Sequence, residues 1–379
     1  MATKDAPRVL VIGGGSAGLL TAHALQMLGA STVEELQKTI ESCQVDDHRA
    51  GEDETMPIYN CKTEELMIRL PIPYNIRLKR RKFIRHITQG LDVKVNILQI
   101  RHSSGLTPLQ YSKKIKEVSS DGKKATAVFE DGTSETGDLL IGADGGRSVV
   151  RDYLVGSSQS ALADTPIVST FAIAQLPAEA VEKFRHFGNR MAIAFHPNGY
   201  FTWVGKHDAH ESTTPPGEWK FMVAQTWRPE DPNYDPQTMQ REKALADAKR
   251  RAKEFGPTLS EIWQSIPDNT TCWHSRLTDW KPDELWDNRN GTITLAGDSA
   301  HSMTFHRGQG LNNAIHDAAS IARSVREYGF TPDAIKAYEA EMIPRGREAV
   351  NGSRANTIAI HDWDSLLDSP LFKMGLKAK

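Results

Sequence analysis

Residues 8–28 read RVLVIGGGSAGLLTAHALQML: a short β-branched run, a cluster of glycines and a stretch with helical spacing. The pattern is typical of a buried strand that enters a tight turn and continues as a helix. Gly13 permits the tight turn, Gly15 leaves room for a phosphate near the backbone, and Gly18 lets the helix pack closely on the strand. A turn that serves only strand–helix packing is the alternative. The stretch predicts a dinucleotide site formed by Gly13, Gly15, Ser16, Ala17 and Gly18.

The composition is that of an ordinary globular protein: 379 residues, 39% of them hydrophobic and 25% charged. The length favours two domains. A formal net charge of −2 gives no sign of binding to nucleic acid or to an anionic membrane, and no apolar run is long enough for a membrane-spanning helix. The three cysteines lack metal-ligand spacing, so we expect no metal site and a cytoplasmic protein with reduced thiols. The oligomeric state cannot be read from the sequence.

Two further segments place an acidic residue at the end of an apolar strand. Asp144 follows the run at 139–143, and Asp298 follows the run at 291–296. Ligands of open α/β sheets bind at the carboxyl ends of the strands, so both carboxylates could accept hydrogen bonds from the hydroxyl groups of a sugar or polyol. The alternative at each position is an ordinary turn that contains Asp.

A glycine-rich loop, RGQGLNN at residues 307–313, opens a helix shortly after Asp298. The amide groups near Gly310, Leu311 and Asn312 would face a planar ring. If that ring becomes negatively charged, a helix N-terminus aimed at it stabilises the charge. We expect the Asn312 side chain to cap or brace the turn rather than to take part in chemistry.

The three motifs resemble the fingerprints of the FAD-dependent aromatic-ring hydroxylases, most closely the salicylate-hydroxylase-like flavoprotein monooxygenases of fungi. They are the glycine turn at 13–18, the GADG block at 142–145 and the stretch GDSAHSMTFHRGQGLNNAIHDA at 297–318. The resemblance implies FAD as cofactor, with NAD(P)H as a transient co-substrate that has no domain of its own. It also implies that Arg80, in the basic helix start LKRRKF, contacts the flavin chain. A solvated helix end is the alternative for Arg80.

The segment at 165–228 has a different pattern, because short strand-like runs alternate with turns rich in Pro, Gly and Asn. This pattern predicts an antiparallel sheet in a separate lobe. With the resemblance, the fold class is α/β: a Rossmann-like FAD-binding domain with an inserted antiparallel-sheet substrate lobe. We assign residues 1–160 and 285–345 to the FAD-binding domain, 161–284 to the substrate lobe and 346–379 to a C-terminal segment.

The activity that the resemblance implies is a monooxygenase reaction. FAD, reduced by NAD(P)H, would activate O₂ to hydroxylate an aromatic or polyketide-like small molecule. A cation or a base near a phenolic substrate would favour its phenolate form, so Arg190 and His306 are the candidate catalytic residues. Each could instead be a satisfied surface residue or a residue that lies behind those contacting the substrate. A flavin-dependent epoxidase acting on an isoprenoid alkene is an alternative activity that would use the same sites.

The second half of the dinucleotide fingerprint is shortened. An acidic residue should end the next strand, about 20 residues after the turn, and bind a ribose hydroxyl. Here Glu34 and Glu35 follow the brief run GASTV at 29–33. Glu34 is the candidate ribose ligand, and a solvated glutamate at a helix start is the alternative. The shortening leaves a second hypothesis open, a pseudoenzyme with impaired FAD binding.

Overall fold

The computed structural model describes residues 7–26, 28, 40–89, 91, 113–188, 190–208, 215–239, 242–283 and 285–374. Within them the strands are β1 (Val9–Ile12), β2 (Thr55–Asn60), β3 (Leu66–Pro71), β4 (Ile115–Ser120), β5 (Ala125–Phe129), β6 (Ser134–Gly137), β7 (Leu139–Gly142), β8 (Ala163–Gln175), β9 (Met191–His196), β10 (Tyr200–Asp208), β11 (Lys220–Trp227), β12 (Cys272–Asp279) and β13 (Ile293–Leu295). The α-helices are α1 (Ser16–Gln26), α2 (Arg80–Thr88), α3 (Val149–Val155), α4 (Ser157–Ser160), α5 (Ala178–Phe187), α6 (Glu242–Ala252), α7 (Pro257–Gln264), α8 (Asp298–His301), α9 (Gly310–Tyr328), α10 (Pro332–Ala359) and α11 (Pro370–Met374). None of these described helices is long and apolar enough to cross a membrane.

A parallel sheet of β1, β7 and β13, with β7 in the centre, positions the three sequence motifs. All four residues of β7 are buried, as is usual for a central parallel strand. In the register of the sheet, Ile12 and Leu295 both pair with Gly142. The carboxyl ends of the three strands therefore lie side by side, and the segments that follow them start at one edge of the sheet.

A seven-stranded sheet forms the lobe that the sequence predicted, in the order β12-β8-β11-β10-β9-β2-β3. Neighbouring strands are antiparallel except for β2, which runs parallel to β9. The hairpin β2–β3 comes from the first 160 residues, which the sequence assigned to the other domain. Four successive residues of β2 are buried, so side chains on both faces of this strand are packed, which its position between β9 and β3 allows. A small sheet of β4, β5 and β6 is separate.

The two faces of the seven-stranded sheet have different neighbours. Val204 and Val223 belong to a core with α5, α6 and α7. On the opposite face, Ile193 and Phe201 pack with residues that follow α10, such as Ile360. Because side chains alternate along a strand, the odd-numbered residues of β10 turn towards the segments that carry the third motif.

Candidate functional site

The glycine turn after β1 lies against both of the other motifs. A Cβ atom at Gly13 would clash with the backbone of Ala143, next to the second acidic strand end. A Cβ atom at Gly297 would lie 2.5 Å from the Cβ of Ala17. The fold therefore brings together the three segments that the sequence singled out.

The glycines of the first turn have two distinct roles. Gly13 has a φ of +127°, and a Cβ at Gly18 would clash with the Gly13 carbonyl oxygen, so packing requires both. At Gly15 the Cβ position meets no described atom within 4 Å. Helix α1 begins at the next residue, Ser16, and its first-turn amides lie beside this open space. The structure thus offers a place where a phosphate can approach the backbone at a positive helix end.

Asp144 is held by bonds within the protein. Its Oδ1 accepts from the hydroxyls of Ser148 (2.5 Å) and Ser299 (3.3 Å), and its Oδ2 accepts from the amide of Val149 (2.7 Å). The carboxylate therefore caps α3 and ties the second motif to the third. These bonds favour a bracing role, and direct contact of Asp144 with a cofactor stays a prediction.

Asp298 differs from Asp144 because its carboxylate is available. It is the first residue of α8 and is exposed, after Gly297 with a φ of +64°. Among the described residues, none donates a hydrogen bond to its carboxylate. An exposed acceptor beside the glycine turn suits the hydroxyl groups of a bound polyol.

The start of α9 offers open amide groups. Gln309 precedes the helix and provides no side-chain cap, and a Cβ at Gly310 would meet no described atom within 4 Å. The expectation that Asn312 braces the turn is wrong. The Asn312 side chain is exposed, whereas Asn313 donates from Nδ2 to the carbonyl of Gln309 (3.1 Å). One residue turns a helix by about 100°, which directs Asn313 inward and Asn312 outward.

The helix that begins with Arg80 packs beside these elements. Phe83 of α2 and Leu19 of α1 share a small core, against which Leu311 also packs. Arg80 is the first residue of α2 and is exposed, and its contact with the cofactor stays a prediction. Glu34, the candidate ribose ligand, lies outside the described residues.

A charged network holds the start of the third motif. Oδ2 of Asp317 accepts from the amide of Gly297 (2.7 Å) and from Nε2 of His301 (2.8 Å), and its Oδ1 accepts from Arg345 (2.7 Å). Burial opposes protonation of His301, but the Asp317 carboxylate outweighs it and raises the pKa of the ring. Burial also opposes ionisation of Asp317, yet His301 and Arg345 keep its pKa below the ordinary value. No sequence motif pointed to this network, because its members lie up to 48 positions apart.

A neutral network holds the end of the same loop. The carbonyl of Thr357 can only accept, so Nδ1 of His361 carries the proton (2.6 Å). Nε2 of His361 then accepts from the Thr226 hydroxyl (2.7 Å), which in turn accepts from Nε2 of His306 (3.0 Å). Nδ1 of His306 accepts from the Thr357 hydroxyl (2.9 Å). Burial lowers the pKa of His361 to about 4 and that of His306 well below its usual range.

His306 therefore sits in the protein interior, with both ring nitrogens bonded to threonine hydroxyls. This arrangement favours a structural role, because a proton shuttle needs a free nitrogen that faces the substrate. A catalytic role for His306 stays a prediction.

Half-buried apolar side chains form a surface beside this loop. Met222 pairs with Ile173 on β8, and Ala224 has Trp203 on one side and Phe171 on the other. Phe305, from the loop between α8 and α9, packs edge-on against Phe171 with ring centres 4.9 Å apart. We call this surface the open apolar face, and its half-buried members are Phe171, Ile173, Trp203 and Met222.

Arg190, the other predicted catalytic residue, is buried. Its Nη2 donates to Asp46 (2.8 Å) and to the carbonyl of Asn75 (2.9 Å), and its side chain is 2% exposed. Arg77 shares the same carboxylate of Asp46. A catalytic role for Arg190 stays a prediction. Arg77 was not singled out from the sequence, although it lies one residue before the basic run of residues 78–83.

Comparison with known proteins identifies the family. A model described as "FAD binding domain" matches residues 81–353. The FAD-dependent monooxygenase cctM of Talaromyces islandicus is 38% identical, over 99% of this chain and 98% of its own length. The chain belongs to the FAD-dependent monooxygenases. The predicted family, enzyme class and FAD cofactor are thereby confirmed. The alignment with cctM runs over 411 positions, more than the 379 residues of this monooxygenase, so the relative has segments that this chain lacks.

Solved structures support the fold. HpxO of Klebsiella pneumoniae, complexed with FAD and uric acid, gives a TM-score of 0.73 at 20% identity, covering 100% of this chain and 94% of that one. A substrate complex of salicylate hydroxylase also gives 0.73, at 17% identity and with 98% and 94% covered. The predicted Rossmann-like fold is confirmed.

The residues of this monooxygenase fit FAD. The open spaces over Gly15 and Gly310 would admit a phosphate and a flat ring edge next to helix N-termini. Asp298 offers an acceptor for a hydroxyl between these two positions along the edge of the sheet. The protein therefore offers a separate group for each part of FAD: a helix N-terminus for the anionic pyrophosphate, a carboxylate for the polyol and a second helix N-terminus for the planar ring.

Proposed function

We propose that this monooxygenase uses NAD(P)H and O₂ to hydroxylate an aromatic or polyketide-like small molecule that packs on the open apolar face. The observation that carries the proposal is the path of the chain from Asp298 to Gly310. Both ends of this path carry residues predicted to bind the flavin, and its middle packs Phe305 against Phe171. A ring-sized apolar surface therefore adjoins the cofactor segments, as a water-excluding reaction site requires.

Named residues have separate tasks in this proposal. The amides at Gly15, Ser16 and Ala17 and the guanidinium of Arg80 hold the pyrophosphate, and Asp298 accepts from a polyol hydroxyl. When bound, FAD supplies electrons that activate O₂ for transfer of one oxygen atom. The N-terminus of α9, at Gly310, Leu311 and Asn312, stabilises the negative charge that develops at the ring edge.

The proposal is tested with purified protein and a planar aromatic probe, 2-naphthoate. We expect a flavin spectrum, NAD(P)H oxidation that the probe stimulates, and a product that carries one oxygen atom from ¹⁸O₂ on its ring. Asp298→Ala should weaken FAD binding by about tenfold, because a charged acceptor is lost, whereas Asp287→Ala, on an exposed loop, should not. A colourless protein that takes up no FAD, or oxidation of alkene probes to epoxides with aromatic rings left intact, would contradict the proposal.

A further inference from the structure

The guanidinium of Arg77 lies at one end of the open apolar face. Its Cζ is 5.8 Å from the centre of the Trp203 ring. A Cβ atom at Gly205 would lie 2.6 Å from Nη1 of Arg77 and 2.7 Å from two ring carbons of Trp203. Because Gly205 has no side chain, Nη1 of Arg77 and the edge of the Trp203 ring can lie next to each other on this face.

Arg77 is anchored by bonds that leave Nη1 unused. Nε donates to Asp46 (3.1 Å), and Nη2 donates to Asp46 and to the carbonyl of Arg190 (3.0 Å). Among the described residues, none accepts a hydrogen bond from Nη1, and the Arg77 side chain keeps 14% of its surface exposed. The anchor Asp46 is fully buried, so the guanidinium is oriented before any ligand arrives.

The neighbouring carboxylates are engaged with other cations. Glu54 lies 3.6 Å from Nη1 of Arg190, and Asp47 accepts from Lys206 (2.8 Å). Asp46 is shared between Arg77 and Arg190. No described carboxylate therefore accepts a hydrogen bond from Nη1 of Arg77 at the edge of the apolar face.

We propose that Arg77 is a specificity-determining residue: its Nη1 donates to a carboxylate or phenolate oxygen of a planar substrate whose ring packs on Trp203. The inference rests on the proposed function, because it assumes that the substrate occupies the open apolar face. A guanidinium is weakly hydrated and forms strong hydrogen bonds to anionic oxygens. Met222 pairs with Gly205 across the sheet, and Ile173 pairs with Met222, so apolar residues border this position, and a less polar environment strengthens such a bond. Asp46 acts through Arg77, as a positioning residue.

Isothermal titration of the FAD-loaded protein tests the inference with two probes of the same shape, 2-naphthoate and the neutral 2-naphthamide. We expect the wild type to bind 2-naphthoate roughly tenfold more tightly, since a bond to a charged acceptor is stronger than one to a neutral acceptor. Arg77→Met should remove this preference and leave the affinity for 2-naphthamide within about threefold. The matched control is Arg69→Met, which removes an exposed arginine from β3 and should keep the preference.

A second variant keeps the test decisive if Arg77→Met does not fold. In Gly205→Ala the new methyl group displaces Nη1 of Arg77 and the edge of the Trp203 ring. Loss of the Trp203 contact weakens both probes, whereas displacement of Nη1 weakens 2-naphthoate alone, so the preference for 2-naphthoate should fall several-fold. Equal binding of both probes by the wild type, or a preference that survives both substitutions, overturns the role of Arg77 while the proposed site stands. If neither probe binds, the proposed site itself fails and the inference fails with it.

Discussion

Two buried networks secure opposite ends of the loop at 297–307, and they do so with different chemistry. The charged network joins Asp317, His301 and Arg345 to the amide of Gly297. The neutral network joins two histidines and two threonines, and the His361 pKa of about 4 keeps that ring uncharged near neutral pH. One loop is thus fixed at its start by ion pairing and at its end by a directed chain of neutral hydrogen bonds.

The difference shows how each end of the loop serves the site. The charged network fixes the backbone at Gly297, next to the carboxylate of Asp298. The neutral network fixes Thr226 of the sheet to the segment that carries Phe305, so it sets the distance between the cofactor segments and the open apolar face. The two networks should therefore respond differently to substitution and to pH.

The largest effect is expected from Asp317→Asn. The change leaves His301 and Arg345 without their buried counter-charge, which should lower the free energy of unfolding by about 3–5 kcal/mol. Urea denaturation measures this loss. Glu341→Gln is the control, because Glu341 pairs with the same arginine (2.7 Å) but is 36% exposed, so about 1 kcal/mol or less should be lost. Equal midpoints for Asp317→Asn and the wild type would show that the charged network does not stabilise the fold.

Thr226→Val should have a smaller effect. The hydroxyl of Thr226 bonds Nε2 of both His306 and His361, and its loss leaves two buried ring nitrogens without a partner. We expect the free energy of unfolding to fall by about 1–3 kcal/mol, measured in the same way. Thr126→Val, at a hydroxyl pair on the surface hairpin β5–β6, should change it little. A Thr226→Val protein as stable as this control would refute the neutral network.

The smallest effect concerns pH and separates the two networks. The pKa of His361 is depressed by burial, so the unfolded chain binds a proton that the folded chain does not, and stability falls as pH drops from about 6.5 towards 4. At pH 5.5 the loss should be about 1 kcal/mol relative to pH 7.5. His361→Gln lacks the titrating ring and should lose less over this range. The charged network should respond in the opposite direction, since the raised pKa of His301 provides stability that is lost as pH rises above about 6.5, whereas the lowered pKa of Asp317 matters only at more acidic pH.

Buried Glu339 changes the stability with pH in the direction opposite to His361. Burial raises its pKa to about 7, so its contribution to stability is lost as pH rises through that value. For this reason the His361 effect is read from the difference between the wild type and His361→Gln. Identical pH profiles for the two proteins would rule out the assigned neutral state of His361.

Local patterns in the sequence were enough to find the cofactor segments. The turn at Gly13, the strand ends at Asp144 and Asp298 and the loop at Gly310 are each short, and their residue types are set by backbone geometry. The position of β2 was not predictable, because its pairing with β9 joins segments more than 130 residues apart. The direction of the Asn312 side chain was not predictable either, because it depends on the residue at which α9 begins. A start shifted by one residue would turn the helix by about 100° and direct Asn312, rather than Asn313, inward.

By itself the sequence determined the α/β fold, the glycine turns and the cofactor. These features can be recognised in short stretches of sequence, because some backbone conformations require glycine and some strand ends carry an acidic residue. Only the tertiary structure decided which polar groups remain available: Asp144 is braced by bonds within the protein, Asp298 is exposed, His306 and Arg190 are buried in networks, and Arg77 keeps one nitrogen unbonded. Availability depends on partners that come from distant parts of the chain, and no local pattern encodes them.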